Sequence, residues 1–389
     1  MNKRIWAEGY PLKVIVTFGT RPEALKLAPV VSELHHQAET FRTQVCVTAQ
    51  HRHMLDQVLQ LFSIKPDFDL DLMEPGQSLA GFASRALVGL HELFGQEKPD
   101  CVIVQGDTTS TFIASLAAFY AGAAVGHVEA GLRSFRKRAP FPEEINRRLT
   151  THLADLHFAP TEGARNNLVE EGIDAQRIVV TGNTIVDSLQ QIVCRLDSGM
   201  LQPPLRARFP ELPSKLVLAT VHRRENHGER LQAVCRALRD LNEALPDFHF
   251  FLPVHPHPKV HEPVSQALSG LPRMHLLPPL DYTSFVWLMQ RSCMVVSDSG
   301  GVQEECCALR KPVLVMRDVT ERSEAVESGF AKLVGCDKGH IVAAALDTLK
   351  DGARSSLNGK NPFGDGRAAE RIVAALASHA GLLVRSVDL

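Results

Sequence analysis

Two basic side chains follow the first strand-like run of the chain, at a position where a parallel sheet could bind a phosphate. The β-branched run 14–18 is followed by Gly19 and by Pro22, a residue that suits the first turn of a helix. Arg21 and Lys26 lie on that strand-to-helix connection. Ligands of open α/β sheets bind beyond the carboxyl ends of the strands, so the two cations predict a phosphorylated substrate. The segment matches neither a dinucleotide fingerprint nor a P-loop, and an ordinary turn with a solvated Arg21 stays open.

Three carboxylates occupy comparable positions in the first half of the chain. Asp107 follows the strand-like run 101–105, and Glu129 follows the run 125–128. Glu143 stands at the start of a helical pattern. Because paired carboxylates can serve as general base and general acid, the three acids predict proton-transfer chemistry. The structural alternatives are helix capping by Asp107 and a favourable interaction of Glu143 with a helix dipole.

The second half offers an anion-binding segment and a phosphate cradle. His222 follows the strand-like run 216–220 and precedes Arg223, which makes this segment a candidate for binding an anion. Residues 299–301, Ser-Gly-Gly, stand at a strand-to-helix junction, where bare backbone N–H groups can cradle a phosphate. A flexible turn with a capping serine is the alternative for that segment. Glu305, shortly after the glycines, could accept hydrogen bonds from ribose hydroxyls.

A metal site is the weakest of the possible sites. His255 and His257 are separated by one residue and could share a metal ion. No third ligand stands at a useful spacing, so the sequence predicts no metal.

Strand-like runs alternate with helical patterns along the chain, which predicts βαβ units and mostly parallel sheets. The predicted strands are 14–18, 44–48, 101–105, 125–128, 156–159, 177–180, 216–220, 248–254, 274–277, 294–297 and 313–315. The predicted helices include 78–94, 109–121, 184–196 and 367–383. A proline-containing break at 201–214 follows the third of these helices. The expected fold class is α/β, with two doubly wound Rossmann-like domains facing a central cleft. The domains are placed at 1–183 and 184–365, and a C-terminal helix in 366–389 packs back on the first.

Composition excludes several classes of function. The chain has 389 residues, 44% of them hydrophobic, which fits two domains. Its net charge of −2 gives no positive electrostatic field that would attract nucleic acid. No apolar run approaches the length of a membrane span, and residues 1–13 lack the core of a signal peptide. The eight cysteines are scattered, as in a reduced protein. A cytoplasmic protein without nucleic-acid or membrane partners is therefore expected.

The segments resemble those of the non-hydrolysing UDP-N-acetylglucosamine 2-epimerases over nearly the whole chain. Each segment is weakly specific alone, whereas their joint order and spacing are highly specific. They are 18–23 (FGTRPE), 48–52 (TAQHR), 106–109 (GDTT), 127–133 (HVEAGLR), 141–144 (FPEE), 181–184 (TGNT), 222–226 (HRREN) and 298–305 (DSGGVQEE).

The resemblance implies a GT-B-like fold and interconversion of UDP-GlcNAc and UDP-ManNAc without NAD or another cofactor. It implies elimination and re-addition of UDP through 2-acetamidoglucal, for bacterial surface polysaccharide precursors. The catalytic residues carried over by motif are Asp107, Glu129, Glu143 and His222. The substrate-binding residues are Arg21, Lys26, Phe285, Ser299, Gly300, Gly301, Glu305 and Arg322. Which carboxylate is base and which is acid stays open.

The resemblance also implies a homodimer and, in bacterial members, a second UDP-GlcNAc site that activates the enzyme. Its matching residues here are Gln50, His51, Gln77, Arg223 and His255. Residues 134–139 (SFRKRA) depart from the family pattern beside the sugar-side acids. Their added cations could read the carboxylate of a uronic acid, or they could form a solvated basic loop.

Three other functions stay open. The chain could epimerise a related UDP-sugar such as a diacetamido-uronic acid. A GT-B glycosyltransferase would use the same kind of nucleotide site but would not need three acids at the sugar. A catalytically silent nucleotide-sugar sensor would not need the acids and His222 to be intact.

Overall fold

The computed structural model describes residues 11–48, 52–74, 76–350 and 359–379. The chain divides into two compact units. Unit 1 extends to Ser188 and resumes at Gly364, and unit 2 is Leu189–Phe363. In the described ranges, no helix combines the length and the apolar character needed to cross a bilayer.

Unit 1 is built on one parallel sheet of seven strands. Its strands are β1 (Leu12–Phe18), β2 (Phe41–Val47), β3 (Phe68–Asp69), β4 (Cys101–Gln105), β5 (Ala124–Val128), β6 (Leu156–Ala159) and β7 (Ile178–Val180). Their order across the sheet is β3-β2-β1-β4-β5-β6-β7. The helices are α1 (Arg21–His36), α2 (Arg52–Leu61), α3 (Leu79–Glu97), α4 (Thr109–Tyr120), α5 (Glu143–Leu153) and α6 (Glu162–Glu170). The next helix, α7 (Thr184–Asp197), begins in unit 1 and ends in unit 2.

Unit 2 repeats this plan with six parallel strands. They are β8 (Leu216–Thr220), β9 (His249–Pro253), β10 (Met274–Leu277), β11 (Met294–Ser297), β12 (Val313–Val315) and β13 (Ala331–Leu333), in the order β10-β9-β8-β11-β12-β13. The helices are α8 (Glu229–Ala244), α9 (Pro258–Leu268), α10 (Tyr282–Arg291), α11 (Gly300–Ala308), α12 (Ser323–Glu327) and α13 (Lys338–Lys350).

The strand order confirms the predicted α/β class with two doubly wound parallel sheets. In each sheet the first strand along the chain lies in the interior, and the winding reverses beside it, between β1 and β4 and between β8 and β11. These are the topological switch points, where open α/β sheets bind their ligands beyond the carboxyl ends of the strands. The loops that follow β1, β4, β8 and β11 are therefore the natural places for a site.

Continuous apolar runs explain the central strands, because a strand covered on both faces needs no polar alternation. Every residue of β4 and β8 is buried. The sequence missed β3 and β13, which stand at the edges of their sheets. β3 has two residues, and only Ala331 of β13 is buried, so neither shows an apolar run.

The chain returns to unit 1 through a last helix, α14 (Ala368–Ser378). The Asp187 carboxylate accepts a hydrogen bond from the backbone N–H of Ala369, at 2.9 Å. The Arg371 guanidinium donates to the carbonyl oxygen of Thr181, at 3.0 Å. The end of the predicted helix 367–383 lies beyond the described residues, which stop at 379.

Candidate functional site

A buried carboxylate joins the loops that follow β1 and β4. Glu23 is fully buried in the first turn of α1, and its Oε2 accepts the backbone N–H of Thr20 at 2.7 Å. Its Oε1 accepts the hydroxyls of Thr108 at 2.7 Å and Thr111 at 2.9 Å. Burial raises the pKa of Glu23, and these hydrogen bonds offset part of that rise. Glu23 therefore ties together two loops of the switch point. Glu23 is not among the site residues predicted from the sequence, although its place three residues after Thr20 has the form of a capping box.

Glu129 is held by three donors. It follows β5 with φ of +65°, a strained left-handed conformation for a residue with a Cβ. Its carboxylate accepts from Asn183 Nδ2 at 2.7 Å and from Gln105 Nε2 at 3.1 Å, and it forms an ion pair with Lys26. The predicted residue Lys26 is thus brought to the predicted residue Glu129, across 103 positions of sequence. Asn183 and Gln105 were missed, because only the fold brings them to this carboxylate.

Asp107 shares an arginine with a second acid. Its carboxylate, 28% exposed, is ion-paired with the buried guanidinium of Arg147. Arg147 Nη1 also lies 3.4 Å from Glu144. The N-cap of α4 is Thr108, so the alternative role of Asp107 as that cap is wrong. Glu143, half-buried, is the first residue of α5.

Asp107 and Glu129 belong to one neighbourhood. Gly106, which precedes Asp107, is so placed that a Cβ built on it would lie 3.8 Å from Glu129 Oε1. The buried His127 contacts the same loop, with Nε2 at 2.8 Å from the carbonyl oxygen of Gly106. Burial lowers the pKa of His127 to about 4, so this ring is neutral at physiological pH. Arg21, half-buried, begins α1 at the neighbouring loop.

In unit 2, Asp298 organises the loop that carries His222. Asp298 is fully buried and accepts the backbone N–H groups of His222 at 3.0 Å and Arg223 at 2.9 Å. It also accepts from Asn226 Nδ2 at 3.0 Å, and its Oδ1 lies 3.1 Å from His222 Nδ1. Burial alone would raise the pKa of Asp298, but His222 and the backbone donors outweigh it and hold the pKa below its ordinary value. The other ring nitrogen of His222, whose side chain is 44% exposed, can meet a ligand.

The predicted phosphate cradle lies at the start of α11. Ser299 is the N-cap, and Gly300 and Gly301 form the first turn. A Cβ on Gly300 would lie 2.6 Å from Arg322 Nη1, whereas one on Gly301 would meet nothing within 4 Å. Arg322 is buried and ion-paired with Glu304 at 2.7 Å. The turn thus offers bare backbone beside a fixed guanidinium.

Glu305 and Phe285 are carried by neighbouring helices of the same unit. Glu305 is buried on α11, and its Oε1 accepts the hydroxyl of Tyr282 at 2.8 Å. Phe285, half-buried, lies one turn after Tyr282 on α10. Tyr282 therefore orients one of the predicted ligand residues, although no sequence signal singles it out.

Three of the five residues matched to an activating site are in the described part of the chain. Gln77 is half-buried and donates to Met73 Sδ at 3.0 Å. His255 is exposed, and burial of the ring and the nearby His222 lower its pKa. Arg223 is half-buried, and its pKa is lowered by burial and by the neighbouring Arg317 guanidinium. Gln50 and His51 lie outside the described residues. Within residues 11–48, 52–74, 76–350 and 359–379, no three His, Cys, Asp or Glu side chains are grouped to hold a metal ion.

Comparisons with known proteins agree on one family. Residues 33–377 match the family model described as UDP-N-acetylglucosamine 2-epimerase. The UDP-N-acetylglucosamine 2-epimerase of Escherichia coli K12 is 48% identical over 373 residues, which cover 95% of this chain and 99% of that protein. The one from Neisseria meningitidis is 46% identical over 369 residues, covering 94% of this chain and 99% of that protein.

Solved structures give the same result. The crystal structure of the Neisseria meningitidis enzyme bound to UDP-GlcNAc superposes with a TM-score of 0.90 at 46% identity, covering 94% of this chain and 100% of that one. The Methanocaldococcus jannaschii enzyme in complex with UDP-GlcNAc and UDP has a TM-score of 0.82 at 34% identity. It covers 94% of this chain and 100% of that one.

Proposed function

The chain belongs to the UDP-N-acetylglucosamine 2-epimerase family, and from this premise we propose that it interconverts UDP-GlcNAc and UDP-ManNAc by eliminating and re-adding UDP. The intermediate is 2-acetamidoglucal, and no nicotinamide cofactor takes part. The proposal assigns proton transfer at the sugar to residues of unit 1 and binding of UDP to residues of unit 2.

The chemistry requires two tasks to be performed together. The proton on C2 is not next to a carbonyl, so it becomes removable only as the C1–O bond breaks and positive charge builds at C1. A carboxylate takes the C2 proton, the C2–H electrons form the C1=C2 bond, and the C1–O electrons leave with UDP. In re-addition a carboxylic acid delivers a proton to the opposite face of C2, and the UDP oxygen forms the C1–O bond again. Stabilising the departing diphosphate lowers the barrier to the first step.

The observation that carries the proposal is the difference between the surroundings of Glu129 and Asp107. They follow neighbouring strands of one sheet, yet Glu129 is held by three donors that include Lys26, while Asp107 shares Arg147 with Glu144. Pairs of carboxylates in unlike surroundings are the usual basis for dividing base and acid roles. Glu143 is the third candidate for these proton transfers.

The arrangement in unit 2 suits the leaving group. Asp298 orients the His222 ring, so its outer nitrogen can contact a phosphate oxygen. The bare N-terminal turn of α11 and the nearby Arg322 guanidinium supply further stabilisation of negative charge. Glu305, oriented by Tyr282, is proposed to accept the ribose hydroxyls, and Phe285 to contact the base.

Further parts of the proposal rest on the family alone. They are a homodimer, a role in supplying bacterial surface polysaccharides, and activation by a second UDP-GlcNAc molecule. The activating site would use Gln50, His51, Gln77, Arg223 and His255.

Proton NMR with UDP-GlcNAc in D2O, without NAD, tests the proposal. We expect deuterium to appear at C2 together with UDP-ManNAc. A protein that binds UDP but catalyses no exchange would refute UDP-GlcNAc as the substrate and would direct the search to a diacetamido-uronic acid, then to glycosyl transfer.

A matched pair of variants separates catalysis by Glu143 from a helix-dipole effect. Glu143 and Glu162 are each the first residue of a helix in unit 1. We expect Glu143→Gln to lose C2 exchange by about a hundredfold or more, and Glu162→Gln to retain it. Equal small losses of C2 exchange in both variants would show that Glu143 only interacts with the dipole at the N-terminus of α5.

A further inference from the structure

An exposed loop with two aromatic and three basic side chains leads into α5. We call residues 134–141 the cover loop. Phe135 is 69% exposed and Phe141 67% exposed, and the three residues that follow Phe135 are the exposed cations Arg136, Lys137 and Arg138. The loop ends just before Glu143. Isolated apolar residues are common on protein surfaces, so exposure alone assigns no role to either phenylalanine.

Phe135 differs from Phe141 in its backbone. Phe135 has φ of +57°, a conformation that disfavours residues with a bulky side chain. A buried carboxylate enforces it, because Glu144, 1% exposed, accepts the backbone N–H groups of Ser134 at 3.0 Å and Phe135 at 3.2 Å. The fold therefore uses a buried charge and a strained residue to hold a large apolar side chain in solvent. Such an arrangement costs stability and indicates a function.

The same carboxylate connects the cover loop to the proposed acid–base residues. Arg147 Nη1 lies 3.4 Å from Glu144, and the same guanidinium forms the ion pair with Asp107. One arginine thus links the residue that shapes the start of the loop to a candidate acid. The position of Phe135 is fixed relative to Asp107 rather than being that of a free surface side chain.

We propose that Phe135 covers the sugar end of the substrate and retains the glycal and UDP after the C1–O bond has broken. This inference rests on the proposed function. At that stage no covalent bond holds the two fragments together, so re-addition requires that neither fragment leaves before the proton is returned to C2. An aromatic ring whose backbone is anchored through Glu144 and Arg147 to Asp107 can present an apolar surface to the sugar ring and exclude water.

The test measures leakage per catalytic event. Enzyme is incubated with UDP-GlcNAc in D2O, and released UDP with free 2-acetamidoglucal is counted against C2 deuteration of the UDP-sugars. For Phe135→Ala we expect this ratio to rise about tenfold or more over wild type. The matched control is Phe141→Ala, an equally exposed phenylalanine of the same loop, which should leave the ratio at the wild-type value.

A glycine variant shows whether the fold itself is affected. Because glycine tolerates a positive φ, Phe135→Gly should unfold at the same urea concentration as wild type or at a higher one, while leaking like Phe135→Ala. An unchanged ratio in both Phe135 variants would overturn the inference, and so would loss of C2 exchange without release of glycal, because a cover acts only after the C1–O bond has broken. Absence of exchange in wild type would instead refute the proposed function on which the inference rests.

Discussion

Replacing Asp298 with asparagine should separate the part this carboxylate plays in folding from its orientation of His222. An asparagine whose side-chain oxygen takes the place of Oδ2 keeps the acceptor for the backbone N–H groups of His222 and Arg223 and for Asn226 Nδ2. Its amide nitrogen then faces His222 Nδ1, where a carboxylate oxygen lies at 3.1 Å in the wild type. His222 must accept at Nδ1 and carry its proton on the outer nitrogen, the opposite tautomer.

The cost in stability follows from the bonds retained. Charge-assisted hydrogen bonds contribute about 1 kcal/mol more than neutral ones, and the variant no longer buries a charge, so Asp298→Asn should lose only about 1–2 kcal/mol. Asp298→Leu leaves three donors without an acceptor and should lose at least about 3 kcal/mol. Folding lowers the pKa of Asp298 below its ordinary value of 3.8. The extra stability of the wild type over Asp298→Asn is therefore present above pH 3.8 and is lost as the pH falls below that value.

The effect on turnover should be larger than the effect on stability. A ring that must accept at Nδ1 cannot carry protons on both nitrogens, so it cannot place a positive charge beside the departing diphosphate, and we expect kcat to fall about a hundredfold, or about 3 kcal/mol. Urea unfolding measures the loss of stability, and C2 exchange in D2O measures the loss of turnover. An Asp298→Asn variant that exchanges at the wild-type rate would refute the proposed orientation of His222. One that loses as much stability as Asp298→Leu would refute the assignment of the hydrogen bonds.

Two further predictions concern stability alone. Burial raises the pKa of Asp187 from 3.8 to about 6, so the fold carries a destabilising buried anion as the pH rises through this window. Asp187→Asn keeps an acceptor for Ala369 and should gain up to about 3 kcal/mol at pH 7 but less than about 1 kcal/mol at pH 4, by urea unfolding at both values; equal gains would contradict this. Gly300→Ala should cost about 1–3 kcal/mol, because its Cβ would lie 2.6 Å from Arg322 Nη1. Gly301→Ala, with nothing within 4 Å, should be neutral or stabilising in thermal unfolding without ligand, and equal losses in the two variants would exclude the clash as the cause.

The fold could be predicted from sequence to the extent that its strands carry continuous apolar runs. The strands at 101–105, 156–159, 216–220, 274–277, 294–297 and 313–315 were predicted with the bounds that the structure shows. Continuous apolar runs punctuated by glycine and polar loops identify such strands without knowledge of their neighbours. β3 has only two residues, and β13 buries only Ala331, so neither shows such a run.

The candidate catalytic and binding residues could likewise be predicted from their types at strand ends, whereas the pairs that they form could not. Lys26 and Asn183 reach Glu129 across 103 and 54 positions of the chain. Asp298 reaches His222 across 76 positions. A carboxylate after a strand has the same sequence pattern whether it is solvated, caps a helix or forms an ion pair.

The sequence by itself determined that the chain forms parallel α/β units of this family, and which loops could carry acids, cations and a phosphate cradle. Only the tertiary structure decided which acid is paired with Lys26, which shares Arg147, and which buried carboxylate orients His222. The physical reason is that a strand's burial depends on its own run of side chains, whereas a charge's partners depend on strand order and on distances between residues remote in the chain.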